Sequence, residues 1–307
     1  MLYLHDVTCF IPETYNTIEQ AGKLYGLSDA MIRVYQRIYG LEKIPLAKNS
    51  LLEMLNFSLE LLFRRNLIDK NKIKYIIHCH TAKVVAPFGE SIVRDIKKFL
   101  QLKNAMAFGM SANNCASPIV ALNLLAHILR DDELAIVLCG DLAFTSVLQV
   151  IPNTSLLGDA ASAALVGLNA GKNKLLTIAT KTIGRFASGL WLNVELARDF
   201  EQAYPKILSA TILQAIQSIK LNLSQVKLIV PHNINLPSWQ RVAKNLDIPL
   251  NKIFLKNVRK YAHCFGSDIF INQISAELEG CLIPGDHWLM ATVGLGATFA
   301  VAVFQKT

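Results

Sequence analysis

The side chain in this sequence best placed to do chemistry is Cys115, in the stretch F-G-M-S-A-N-N-C-A-S-P-I-V-A-L-N-L-L-A-H-I-L over 108–129. Ser117 followed by Pro118 predicts a helix N-cap and a first helical residue. The hydroxyl can accept an orphan amide, and proline fixes φ where no donor is needed. From Pro118 to Leu129 no charge appears and only Asn123 and His127 are polar, so the helix lacks a wet face and is expected inside a large domain. A thiol at the mouth of such a helix meets unpaired amides and the positive end of the helix dipole. Both suit an attacking sulfur and supply donors for an oxyanion. His78, Cys79 and His80 invite a metal reading, but on a strand Cys79 points away from the two histidines and no fourth ligand is in view. No metal and no other cofactor is expected.

The elements that must carry Cys115 follow from periodicity. Residues 1–12 read as a short strand, 28–39 as a helix stopped by Gly40, and 50–65 as an amphipathic helix with Leu51, Leu55, Leu59, Leu62 and Phe63 on one face. The run I-K-Y-I-I-H-C-H from Ile73 predicts a buried strand, 89–102 a helix, 133–139 a strand, and 158–168 a strand of small residues suited to close backbone packing. The second half repeats this order. Val226 follows Ile73 by 153 positions, Asp268 follows Cys115 by 153, and Asp286 follows Asp132 by 154. Three elements at nearly one offset imply two βαβ-rich halves, 1–168 and 169–307, related by a pseudo-two-fold. The equivalent helix N-termini would then meet at the axis, and the spacing nominates Cys115 and Asp268 from opposite halves as neighbours.

Composition bounds the function. The 307 residues can bury a large core, and 52% hydrophobic against 18% charged residues excludes a disordered chain. The net charge of +8 is scattered, with only pairs such as Lys97 and Lys98, so nucleic acid is not the expected partner. An acidic carrier or a phosphate-bearing thioester suits that charge. Six cysteines without C-x-x-C spacing fit free thiols in a reducing cytoplasm, and the N-terminal M-L-Y-L-H-D-V-T has no export pattern. The charge-free run 288–304 spans seventeen residues, is interrupted by Gly294 and Gly296, and falls short of the roughly 20 a spanning helix needs. It is read as two buried strands, so no membrane segment is expected.

Over nearly its whole length the chain resembles the ketoacyl synthase III branch of the thiolase-fold superfamily. The landmarks are Pro12-Glu13, Y-G-L-E-K from Tyr39, the Cys115 helix, L-G-D-A-A-S-A-A-L from Leu157, P-H-N-I-N from Pro231, and P-G-D-H-W-L-M-A-T-V-G-L-G-A-T from Pro284. The resemblance implies an α/β thiolase-like fold layered α-β-α-β-α and an acyl-enzyme on Cys115. His232 would be the active-site histidine, and the Cys115 amide with Gly294, Leu295 and Gly296 would form the oxyanion hole. It also implies a homodimer taking acyl groups from coenzyme A or an acyl carrier protein. Where the condensing enzymes carry Y-G-N-T-S-x-x-S this chain has Y-A-H-C-F-G-S-D, so His263 stands at the asparagine position and Asp268 follows five later. The missing asparagine removes one of the two groups that stabilise the enolate in those enzymes. A related acyltransferase subgroup looks like Cys-His-Asp and esterifies a hydroxyl or amine.

The expectation is therefore an acyltransferase in which Asp268 charges and orients His232, with His263 as outer support. Asp268 as a simple helix N-cap is the alternative for that residue, and Asp159 is expected to brace a turn. Decarboxylative condensation with His232 and His263 is the rival chemistry, and a silent partner subunit is a third. Because the family's basic residue after its H-Q-A-N motif is absent, Arg241, Lys244 or Lys256 is expected to dock the carrier. Exposure to a panel of acyl thioesters should add one acyl group by intact mass, and Cys115→Ala should abolish it. An adduct that survives the substitution contradicts the assignment of Cys115.

Overall fold

The computed structural model describes residues 1–143 and 145–307, and in it nine strands form one sheet. In chain order they are β1 (Tyr3–Phe10), β2 (Ile73–Cys79), β3 (Met106–Met110), β4 (Leu134–Asp141), β5 (Ala160–Gly167), β6 (Asn173–Thr182), β7 (Val226–Pro231), β8 (His287–Gly294) and β9 (Thr298–Lys306). Across the sheet the order is β7-β8-β9-β6-β1-β5-β4-β2-β3. The joint is narrow: β1 meets β6 through Tyr3 opposite Lys174 and Leu4 opposite Asn173. On one side of it β3, β2 and β4 run parallel, with β5 and then β1 antiparallel. On the other, β7 and β8 run parallel, with β9 and then β6 antiparallel.

Five helices cover these wings: α1 (Leu51–Arg65), α2 (Ser117–Ile128), α3 (Val194–Ser218), α4 (Leu236–Leu246) and α5 (Asp268–Leu278). Strand alternation assigns their layers. Ala135, Val137 and Cys139 of β4 join Leu122 and Leu125 of α2, Phe270 of α5, and Trp288 and Met290 of β8 in a central core. The alternate residues Ile136 and Leu138 pack outward against Leu55 and Leu59 of α1. Leu289 and Ala291 of β8 pack outward against Leu208 and Ile212 of α3 and Trp239 of α4. The chain is thus layered α-β-α-β-α with α2 and α5 in the middle, which is why α2 can be apolar all round. Among the described residues no helix is long and apolar enough to cross a membrane, and 288–304 forms the antiparallel pair β8 and β9.

Local signals set the boundaries. Ser50 and Glu53 form a reciprocal capping box that starts α1. Ser28 caps a short helix, Asp29–Arg33, that widens into a π-turn over Val34–Ile38, so the helix expected across 28–39 changes its hydrogen bonding midway. The helix expected at 89–102 is confined to Ile92–Phe99. Ser117 does not cap α2. A 3₁₀ turn, Asn114–Ala116, runs directly into the helix, Ala116 holds the cap position, and the buried Ser117 hydroxyl has no partner among the described residues.

The internal repeat is two-tiered. β2 and β7 start 153 positions apart, as do β4 and β8, but α2 and α5 start 151 apart, and so do the turns Asn114–Ala116 and Phe265–Ser267. The counterpart of Cys115 is therefore Gly266, and that of Asp268 is Ser117, in place of the equivalence expected from a uniform offset. These turns meet at the interface of the wings: a Cβ on Gly266 would lie 3.0 Å from Pro118 Cγ. Gly294, at the end of β8, approaches the Cys115 turn even more closely, since its Cβ would fall 1.8 Å from the Asn113 carbonyl oxygen. Only glycine permits that contact.

Candidate active site

Cys115, His263 and Asp268 stand in line, each no more than 3% exposed. Cys115 Sγ lies 3.3 Å from His263 Nε2, and His263 Nδ1 donates to Asp268 Oδ2 at 2.5 Å. Asp268 is the first residue of α5 and does not cap it; Ser267 holds the cap position. Its carboxylate instead accepts from the Asn233 amide at 2.6 Å, Asn233 Nδ2 at 3.3 Å and the Cys264 amide at 2.7 Å, in addition to His263. Four donors on one fully buried carboxylate compensate its loss of water and fix its orientation.

The pairing expected between Asp268 and His232 is not the one found. His232 closes the β7 end, with its Nδ1 3.3 Å from the Ala291 carbonyl oxygen and its Nε2 3.1 Å from the Tyr204 hydroxyl. It is the next residue in P-H-N-I-N, Asn233, that reaches Asp268. A carbonyl can only accept, so Nδ1 carries the His232 proton and Nε2 accepts from Tyr204. The rings of His232 and His263 are 5.7 Å apart, edge to face. His263, expected as outer support, is the histidine in contact with sulfur.

His263 owes its position to the segment 156–159. Its amide donates to the Leu156 carbonyl at 3.2 Å, and its own carbonyl accepts from the Gly158 amide at 2.9 Å. Asp159 braces that segment by accepting from the Ala47 and Ala143 amides, both at 2.8 Å. Residues flanking His263 are held in unusual backbone: Ala262 and Phe265 have φ of 50° and 52°. Side chains other than glycine, asparagine and aspartate rarely adopt such angles, and the surrounding contacts must enforce them.

Electrostatics separate the two buried imidazoles. Burial works against a charge on His263, but the Asp268 carboxylate and the Cys115 sulfur outweigh it and hold the pKa up at about 10. Burial, reinforced by the charge of His263 and opposed only by the Ala291 carbonyl, pushes His232 down to about 3. Three residues that sequence reasoning passed over complete the surroundings. Thr81 Oγ1 lies 3.6 Å from Cys115 Sγ. Asp141 fixes the Thr81 turn by accepting from the Thr81 and Ala82 amides at 2.8 and 2.9 Å, and burial raises its pKa to about 7 against those bonds. Tyr204 comes from α3, a distant helix with no motif to mark it.

The other expected residues lie as follows. Leu295, within the loop Gly294-Leu295-Gly296, accepts from Asn114 Nδ2, so the loop sits one residue from Cys115. Thr292 Oγ1 donates to the Cys115 carbonyl at 3.2 Å. Arg241 and Lys256 are exposed but ion-paired, with Glu201 at 3.4 Å and Glu279 at 2.5 Å, while Lys244 is exposed on α4. The rings of His78 and His80 lie 4.9 Å apart and tilted, with ring nitrogens on the carbonyls of Gly140 and Ala82. No group of three or more metal-ligating side chains occurs among the described residues.

Comparison with known proteins agrees with this architecture. Residues 216–306 match the family described as 3-oxoacyl-[acyl-carrier-protein] synthase III C terminal. The β-ketoacyl-[acyl-carrier-protein] synthase III of Roseiflexus castenholzii is 27% identical over 213 residues, 67% of this chain and 62% of the relative. The chain thus matches just under two thirds of that relative's length. An acyltransferase structure, ChlB3, aligns with TM-score 0.86 at 18% identity over 99% of this chain and 97% of its own. The Aquifex aeolicus 3-oxoacyl-[acyl-carrier-protein] synthase III aligns with TM-score 0.81 at 19% identity over 99% and 100%. OleA of Xanthomonas campestris aligns with TM-score 0.81 at 15% identity over 99% and 98%. At those identities the structures establish the shared fold. The chain thus shares the fold of these synthase III structures, and its residues 216–306 match the C-terminal model of that family.

The site predicts a pH dependence of stability with two limbs. His263 is raised in the fold, so its contribution is full below its ordinary value of 6.5 and is lost as pH climbs to about 10. His78 and His232 are both lowered to about 3, so their contributions are present above 6.5 and are lost as pH falls. Each costs about 1.4 kcal/mol per pH unit on that acid limb. Asp141, raised from 3.8 to about 7, opposes them there but is outnumbered. Denaturant unfolding at pH 4.5, 6.5 and 9 should find the maximum near 6.5, with Asp268→Asn flattening the alkaline limb. An alkaline limb unchanged by that substitution contradicts the His263–Asp268 coupling.

Proposed function

We propose that this protein is an acyltransferase. It takes an acyl group from a coenzyme A or carrier-protein thioester onto Cys115 and passes it to a hydroxyl or amine. The observation that carries the reading is the line from Cys115 Sγ through His263 to Asp268. His263 already carries its second proton, so Cys115 attacks the thioester carbonyl as the thiolate of that ion pair; the tetrahedral intermediate collapses, and the departing thiolate takes the proton from His263, which is left neutral. Acylation removes the charge on Cys115 that helped to raise His263. The imidazole, still oriented by Asp268, then becomes a better base. It takes the proton of the incoming hydroxyl or amine as that nucleophile attacks the acyl carbon, and Cys115 is released as the leaving group.

The state of His232 favours transfer over decarboxylative condensation. Stabilising an enolate oxygen needs a hydrogen-bond donor. With Nδ1 directed at the Ala291 carbonyl and Nε2 accepting from Tyr204, neutral His232 offers none. The Cys115 amide and the loop Gly294-Leu295-Gly296 are assigned to the oxyanion. On the carrier side, Arg241 and Lys256 would exchange Glu201 and Glu279 for acidic carrier residues, with Lys244 beside them. Residues 1–168 and 169–307 would serve as the two halves of each subunit of a cytoplasmic homodimer.

Turnover of Asp268→Asn should fall by up to about 10⁴-fold, and that of His263→Ala comparably, whereas His232→Gln should be affected far less. Carbon dioxide release from a malonyl thioester in step with product formation contradicts the transfer reading. Loss of turnover in His232→Gln with full activity in Asp268→Asn contradicts the assignment of the base.

A further inference from the structure

Two consecutive asparagines, Asn113 and Asn114, precede Cys115, and the triad uses neither. Asn113 Nδ2 donates to Thr298 Oγ1 at 3.1 Å, which ties the turn to the start of β9. Asn114 adopts φ of 48°, a left-handed conformation that asparagine tolerates better than most residues. Its Nδ2 donates to the Leu295 carbonyl. Its Oδ1 accepts from Lys83 Nζ at 3.3 Å, and the same ammonium donates to the Ser111 carbonyl at 2.7 Å. An ammonium can only donate, so Lys83 fixes which end of the Asn114 amide is oxygen and leaves the NH₂ end for Leu295.

The consequence lies in the next peptide. The Leu295–Gly296 unit is planar and trans, so its C=O and N–H point in opposite directions. A peptide beside an acyl-cysteine can offer its N–H, which stabilises a developing oxyanion, or its C=O, which repels it. Binding of the Leu295 oxygen by Asn114 excludes the second orientation. The Gly296 N–H on the other side has no hydrogen-bond acceptor among the described residues. Gly296 has φ of 109°, and across from its nitrogen Gly189 has no side chain; a Cβ there would lie 3.9 Å away.

We infer that Asn114, backed by Lys83, is a positioning residue that locks the Leu295–Gly296 peptide with its N–H available to the oxyanion formed at Cys115. The inference rests on the acyl-Cys115 chemistry proposed above. It assigns a role to a side chain that never touches the reacting atoms.

Two variants separate this role from folding. Asn114→Gly keeps the positive φ accessible but removes the amide. Asn114→Asp keeps the shape and the Lys83 partner but replaces the donor facing Leu295 with an acceptor. Removing an oxyanion donor outright costs about 10²- to 10³-fold. Disorienting one should slow single-turnover acylation of Cys115, read by intact mass with an acyl-coenzyme A, by about 10- to 100-fold at saturating thioester. KM should change little, and the melting temperature should stay near that of the wild type. Wild-type acylation rates in both variants overturn the inference, and so does a loss confined to KM. If the wild type itself takes no acyl group, the acyl-Cys115 reading fails with it; an acylated wild type with unaffected variants overturns this inference alone.

Discussion

The constraint on which the site depends is the burial of one carboxylate. Asp268 has no exposure to solvent, and a charge in that position is tolerable only if its lone pairs are filled. They are filled by groups from two separate segments: Asn233, after β7, supplies its amide and side chain, and the stretch before α5 supplies the Cys264 amide and the His263 ring. Removing any of these donors would leave part of a buried charge unpaired, so the carboxylate pins both segments as well as the imidazole. Further bonds extend the same network: Asn272 of α5 donates to the Pro231 carbonyl and to Asn233 Oδ1 at 2.7 and 2.8 Å, and Asn257 donates to Asn272 at 2.9 Å. The base of the site is thus a polar network with its members satisfied, a condition that favours one arrangement over many.

The second constraint is distance between backbones. Cys115 belongs to one wing of the sheet and His263 to the other, and a sulfur-to-nitrogen contact of 3.3 Å across that interface leaves no room for error. Small residues make it possible. Gly294 lets β8 abut the Asn113 carbonyl, and Gly266 lets the opposing turn lie on Pro118. The central core formed by α2 and α5 then sets the height of the two turns relative to each other. The geometry of the candidate site is a product of how closely two near-equivalent halves can approach, more than of any single loop.

Much of this was legible in the residues themselves. Alternation and helical spacing located the strands at 73 and 226 and the helix α1, because burial on one face writes a period into the sequence. The repeat pointed to the turns of Cys115 and Asp268 meeting, but the uniform offset that equated those two residues does not hold for the helices, and His263 stands between them. The role split between the histidines was not legible. His232 and Asn233 are adjacent at a strand end, and which of them turns toward Asp268 is decided by tertiary contacts, with Tyr204 drawing the His232 ring away. The 151-residue spacing of the helices within a 153-residue spacing of the strands escaped a uniform offset for the same reason: turns absorb insertions that strands cannot. Ser117 had the chemistry of a cap but lost that place to the 3₁₀ turn, and Asn114 carried no motif at all.

The central claim is that the protonation of His263 is set by its contacts with Cys115 and Asp268, with His232 outside that line. Nitrogen-15 spectra of the histidine rings, recorded against pH for the free enzyme and for enzyme acylated at Cys115, test it directly. The account predicts that His263 stays doubly protonated until pH nears about 10 in the free enzyme and titrates at lower pH after acylation, while His232 stays neutral with its proton on Nδ1 throughout. A neutral His263 in the free enzyme at pH 7, or a His232 that responds to acylation in its place, would contradict it.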